Sequence, residues 1–71
     1  MIKYRVGTTY SSVPYDNFYS ALKSYNIHKA EMLAGDPLVR MITLIRFDLS
    51  RNAEHPVKRL RYETRISEHE S

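Results

Sequence analysis

The stretch Leu38-Val39-Arg40-Met41-Ile42-Thr43-Leu44-Ile45-Arg46-Phe47-Asp48-Leu49 decides the fold class. It is rich in β-branched and aromatic residues, and it is apolar on both of its alternating sides in the middle: Val39, Met41, Thr43, Ile45, Phe47 and Leu49 on one, Ile42 and Leu44 among Arg40, Arg46 and Asp48 on the other. A strand of that kind is a central one, or is covered on its second side. Its odd-numbered residues are the set assigned here to the core.

Upstream, Ile2, Tyr4, Val6, Thr8 and Tyr10 alternate with Lys3, Arg5, Gly7 and Thr9, the pattern of a half-buried strand. Ser11 and Ser12 offer a helix N-cap, Pro14 suits a first helical turn and Asp16 places a negative charge near the positive end of the helix dipole, so a helix is expected from about Val13. Tyr15, Phe18, Ala21, Leu22, Tyr25, Met32 and Leu33 form its apolar stripe, with Lys29 snorkelling from the middle. Asn26 can close one helix and cap another, so one continuous helix and a helix broken near Asn26 both fit. Gly35 reads as the C-terminal cap and Asp36-Pro37 as the turn that stops the helix.

Downstream, the polar loop from Ser50 to Pro56 leads into a third strand, Val57 to Ile66, with Lys58, Leu60, Tyr62, Thr64 and Ile66 on one side and Arg59, Arg61, Glu63 and Arg65 on the other. Residues 67–71 read as a frayed, charged tail. The expected fold is therefore α+β: a small sheet containing antiparallel strands, in the order β-α-β-β, with one helix packed on one face. The whole chain, 1–71, makes one domain.

At 71 residues the chain lies near the lower limit for a core without disulfide or metal support, so a dimer or a larger host would help it. There is no cysteine, which excludes disulfide frameworks, thiolate metal sites and cysteine nucleophiles, and fits a reducing compartment. Met1 to Arg5 lack the apolar run of a signal peptide, and the Leu38–Leu49 stretch is interrupted by Arg40, Arg46 and Asp48. These features give a cytoplasmic reading without a membrane span. Eleven Lys and Arg against eight Asp and Glu leave a net charge of +3, a mild bias toward nucleic acid or an acidic protein.

Candidates for catalysis are thin. His28, His55 and His69 lack metal-ligand spacing to one another. Asp48, Ser50 and His55 have the residue types of a nucleophilic site, but they lie along one strand end and loop, where turn formers are expected anyway. Gly7 and Gly35 cannot make a phosphate-binding loop, and the carboxylates are dispersed. The reading is a non-enzymatic chain without cofactor.

What stands out is the side of the sheet assigned away from the helix, where Lys3, Arg5, Arg40, Arg46, Arg59, Arg61 and Arg65 would collect around Ile42 and Leu44. A basic rim around an apolar centre suits an interface. The plain alternative is the solvated side of an amphipathic sheet, yet two aliphatics in the middle of such a face call for a cover. That cover would be a partner, a second copy forming a homodimer, or the tail. Tyr4, Tyr10, Phe47 and Tyr62 are assigned to the core side, and Tyr19, off the helix stripe, is the best exposed aromatic. The outer side of the helix clusters little charge and is a poor reader of duplex DNA, so nucleic acid, if bound, would meet the sheet face through phosphate contacts.

With Tyr4 to Thr8, the helix ending Ala30-Glu31-Met32-Leu33-Ala34-Gly35 and the strand Val39 to Arg46, the chain resembles small phage-encoded proteins of strand-helix-strand-strand build, among them anti-CRISPR and other host-takeover inhibitors. The likeness covers residues 2 to 66, is one of pattern, and carries no functional residue over. It implies a stoichiometric inhibitor in the host cytoplasm that docks on a host protein complex, in defence or in nucleic-acid processing, and blocks a surface. Inhibitors that mimic DNA are acidic, and this chain is basic, so the resemblance implies contact with an acidic protein surface or with nucleic acid itself.

Overall fold

The structure is a computed structural model and describes residues 2–9, 11–62 and 66–70. It has β1 (Ile2–Thr8), β2 (Ser12–Tyr15), helix α1 (Phe18–Leu33), β3 (Met41–Asp48), β4 (Ala53–Tyr62) and β5 (Ile66–Glu70). The strands form one antiparallel five-stranded sheet in the order β2-β1-β3-β4-β5. The helix lies against β1, β2 and β3, and the α+β class with a single helix on one side of the sheet is borne out.

Two edge strands were not expected. Ser12-Val13-Pro14-Tyr15 pairs with β1, Tyr4 opposite Tyr15 and Val6 opposite Val13, instead of opening the helix. Thr8 and Ser11 close the intervening turn, with the Thr8 amide donating to the Ser11 carbonyl at 2.7 Å. Pro14, which lacks a ladder donor, is tolerated because β2 is an edge. The helix starts instead behind Asn17, whose side chain accepts from the Ser20 amide at 2.9 Å, and it runs unbroken through Asn26. At the other edge, residues 66–70 pair with the end of β4 as β5 rather than trailing as a tail.

The helix ends as expected. Gly35 has φ of 90°, its amide donates to the Met32 carbonyl and the Asp36 amide to the Glu31 carbonyl, each at 3.0 Å, which is the Schellman pattern. The Asp36 carboxylate then accepts from the Leu38 amide at 2.9 Å and turns the chain toward β3.

The core lies between helix and sheet: Val6 from β1, Ala21, Tyr25 and Met32 from α1, Val39, Ile42 and Leu44 from the central segment, and Leu60 from β4. Register explains the choice. Val6 stands opposite Leu44, and Ile42 opposite Leu60, so the even-numbered residues of β3 share the helix side with their neighbours. This inverts the expected orientation of β3. Ile42 and Leu44 are 0% exposed, and Met41, Thr43, Ile45 and Phe47 stand on the open side, half-buried. Between Leu44 and Ile45 the pairing with β4 shifts, because Val57 is an extra residue between the partners of those two. Val57 packs against the core beside Lys58, whose ammonium lies 5.8 Å from the centre of the Tyr25 ring.

Candidate functional site

The side of the sheet away from the helix carries the candidate surface. Its rows follow from the pairing and the alternation of the pleat. Lys3, Phe47 and Glu54 form one row across β1, β3 and β4; Arg5, Ile45 and Pro56 form the next; Gly7, Thr43 and Arg59 form a third, which His69 of β5 extends; Met41 and Arg61 make a fourth. An apolar ridge of Met41, Ile45 and Phe47 therefore runs down the central strand, with cations on the strands either side.

The Arg5 guanidinium sits over the Phe47 ring, 5.3 Å from its centre, a cation–π contact reaching diagonally from β1 to β3. It covers the ring and holds the cation at the edge of the apolar ridge. Lys3 Nζ is 3.0 Å from Asp16 Oδ1, so that charge is tied to the segment before the helix. Arg5, Arg59 and Arg61 are exposed.

Of the residues assigned to this face from the sequence, Lys3, Arg5, Arg59 and Arg61 do share it. Ile42 and Leu44 do not: they are core, and the homodimer packed through them is excluded with them. Arg46 is on the helix side, opposite Tyr4, and is exposed there. Arg40 precedes β3 and lies over the Tyr62 ring, 5.1 Å from its centre, at the lip of a shallow cleft of about 250 Å³ lined also by Met32, Asp36 and Val39. Arg65, with Tyr10, Glu63 and Thr64, lies outside the described residues. The apolar centre of the surface is thus Met41, Ile45 and Phe47, where the alternation predicts core residues.

The histidines stay apart on three elements, His28 on α1, His55 on β4 and His69 on β5. His28 Nδ1 is 3.5 Å from Glu31 Oε1, one turn away on the same helix. Among the described residues no three His, Asp or Glu side chains gather as a metal site. Asp48 is engaged in the β3–β4 turn: its Oδ1 accepts from the Ser50 amide at 2.9 Å and its carbonyl from the Arg51 amide at 3.3 Å, with Asn52 left-handed at φ 50°. Asp48, Ser50 and His55 therefore serve as turn and strand residues, as their spacing suggested.

A separate polar cluster fastens β5 to the helix. Tyr25 Oη donates to Glu68 Oε2 at 2.8 Å and Lys29 Nζ lies 3.2 Å from both carboxylate oxygens. The Tyr25 hydrogen bond is the largest influence on the Glu68 carboxyl and, joined by the hydrogen bond and charge of Lys29 and the charge of Lys58, holds it below its ordinary value although partial burial pushes the other way.

No protein-family model matches the chain, and comparison with curated proteins and with solved structures finds no similar protein. Among the described residues no helix is long and apolar enough to cross a membrane.

Proposed function

We propose that this chain is a non-enzymatic binding protein whose recognition surface is the open side of its sheet. The observation that carries the reading is the arrangement of Met41, Ile45 and Phe47 as a half-buried apolar ridge flanked by Arg5, Arg59 and Arg61. An apolar centre gains by being covered, and exposed guanidinium groups around it steer and orient an acidic partner while adding little affinity of their own.

A protein partner fits better than nucleic acid. Single-stranded bases are held by aromatic faces, and among the described residues the open side offers one aromatic, Phe47, whose ring Arg5 already covers. Tyr4, Tyr15 and Tyr25 are on the helix side. Phosphate contact through the same Arg residues is the second reading, favoured by the charge alone.

The resemblance to phage-encoded inhibitors extends the proposal to a role: a stoichiometric blocker, acting in the host cytoplasm on a defence or nucleic-acid-processing complex. That extension rests on the pattern of the chain.

The test is capture from bacterial lysate, with and without nuclease treatment, by the wild-type chain, Ile45→Asp and Arg59→Glu in parallel. A protein retained by the wild type and lost from both variants supports the reading. Equal retention by all three refutes it, and capture that vanishes with nuclease or at moderate salt moves the surface to phosphate binding.

A further inference from the structure

Helix α1 is apolar on two sides. Its inner side buries Ala21, Tyr25 and Met32 against the sheet. On the outer side Tyr19, Ile27 and Leu33 are 82%, 53% and 62% exposed, with Ala30 and Ala34 exposed between them. At about 100° per residue these five share one band with Lys23 and Asn26. A helix on one face of a two-layer domain ordinarily keeps that band polar, so three large apolar side chains exposed along it call for a cover.

We infer that the outer side of α1 is a self-association surface, on which a second copy of the chain packs its own α1 antiparallel about a two-fold axis near Asn26 and Ile27. Side-chain size is the first argument. The bulky Tyr19 lies toward the N-terminal end of the band and the small Ala30 and Ala34 toward the C-terminal end. Antiparallel packing brings Tyr19 of each copy to the level of Ala34 of the other, with the aliphatic Leu33 beside it, so the ring lies over a small residue twice, as an isologous contact permits. A parallel pair would set Tyr19 against Tyr19.

Charge is the second argument. Lys23 carries the formal charge within the band, and Glu31 stands on its flank with a side chain 41% exposed. The antiparallel register brings Lys23 of each copy to the level of Ala30 and Glu31 of the other, so opposite charges meet on both sides of the axis. Asn26 pairs with its own counterpart near the axis, where a polar residue fixes register. The open side of the sheet cannot serve a second copy in this way, because Arg5, Arg59 and Arg61 would face like charge. The helix side takes the copy and the sheet side stays available.

The contact is that of a 16-residue helix, about 24 Å long. This is small for a stable dimer, so the dissociation constant is expected on the order of tens of micromolar. The absence of cysteine from the sequence allows a direct test. Asn26→Cys, treated with a short bismaleimide at high protein concentration, is expected to form a covalent dimer. Tyr19→Cys is expected to resist, since its counterparts would lie about 22 Å apart along the axis. In sedimentation equilibrium the wild-type mass is expected to rise toward twice the monomer value with concentration, Ala30→Lys to stay monomeric with unchanged helix content, and Lys23→Glu combined with Ala30→Lys to restore the dimer. A wild-type mass that stays monomeric up to millimolar concentration overturns the inference, as does equal cross-linking at positions 19 and 26.

Discussion

The Tyr25 hydroxyl donates to the Glu68 carboxylate at 2.8 Å, tying the middle of the helix to the last strand of the sheet. Tyr25 is itself fully buried, so the bond passes from the core to a strand whose other attachments are its pairing with β4 and the Lys29 ion pair to the same carboxylate.

The lowered Glu68 pKa makes that attachment acid-sensitive. A carboxyl whose folded pKa lies below its unfolded one stabilises the fold fully above the unfolded value and loses that contribution as pH falls through the folded one. Acidification from about pH 5 to about pH 3 is therefore expected to lower the urea midpoint of the wild type more than that of Glu68→Gln. Parallel acid slopes for the two proteins would contradict this account. Tyr25→Phe is expected to cost about 1–2 kcal/mol at neutral pH, through the hydrogen bond lost to a charged group.

The orientation of β3 is tested by a pair of substitutions one residue apart. Leu44→Ala removes a side chain with 0% exposure and is expected to destabilise the fold by about 2–5 kcal/mol. Ile45→Ser, on the open side, is expected to cost about 1 kcal/mol or less. Equilibrium unfolding in urea reads both, and the reverse ranking would place Ile45 in the core.

Gly35→Ala is expected to cost about 1 kcal/mol. An added Cβ would meet nothing within 4 Å, so the cost comes from the φ of 90° alone. Urea unfolding again provides the measurement, and a neutral result would mean that the helix ends in another conformation.

Once a protein partner is in hand, Arg59→Glu is expected to slow association by about tenfold or more at low salt, with a smaller change in dissociation. Surface plasmon resonance across a salt series separates the two rates. An effect confined to dissociation would place Arg59 in a desolvated contact instead of on the rim.

The class of the fold, most of the helix stripe, its Gly35 cap and the orientation of β1 and β4 were legible from local patterning, whereas Leu33, predicted on the stripe, is 62% exposed on the outer side of the helix and Tyr15 belongs to β2. Val6 and Leu60 fall on the expected side. Strand β3 was not, since Ile42 and Leu44 on one side and Met41, Ile45 and Phe47 on the other give alternation no contrast. Its side is set by pairing with Val6 and Leu60, and the extra residue Val57 hides that parity from anyone counting through the β3–β4 loop. Strand β2 was hidden by Pro14, which suits a helix start and an edge strand equally. Strand β5 is mostly polar and is held partly by Glu68, whose partners are 43 and 39 positions away in the chain. The candidate surface follows the inversion of β3: Arg5, Arg59 and Arg61 share the open side as the alternation predicts, while the apolar residues between them are Met41, Ile45 and Phe47 and not Ile42 and Leu44.

The strand order carries one more consequence. β1 with β2, β3 with β4 and β4 with β5 are sequence neighbours, and the ladder between β1 and β3 is the one that bridges a long stretch of chain. Loop closure for the sheet is thus concentrated in a single event, the docking of the N-terminal hairpin onto the C-terminal meander along the line where Val6 meets Leu44. The helix spans that join and packs on both sides of it, so the rate of folding should be governed by the formation of α1 against this seam, and a chain divided within residues 34–40 would have the design of two fragments that reassemble into one sheet.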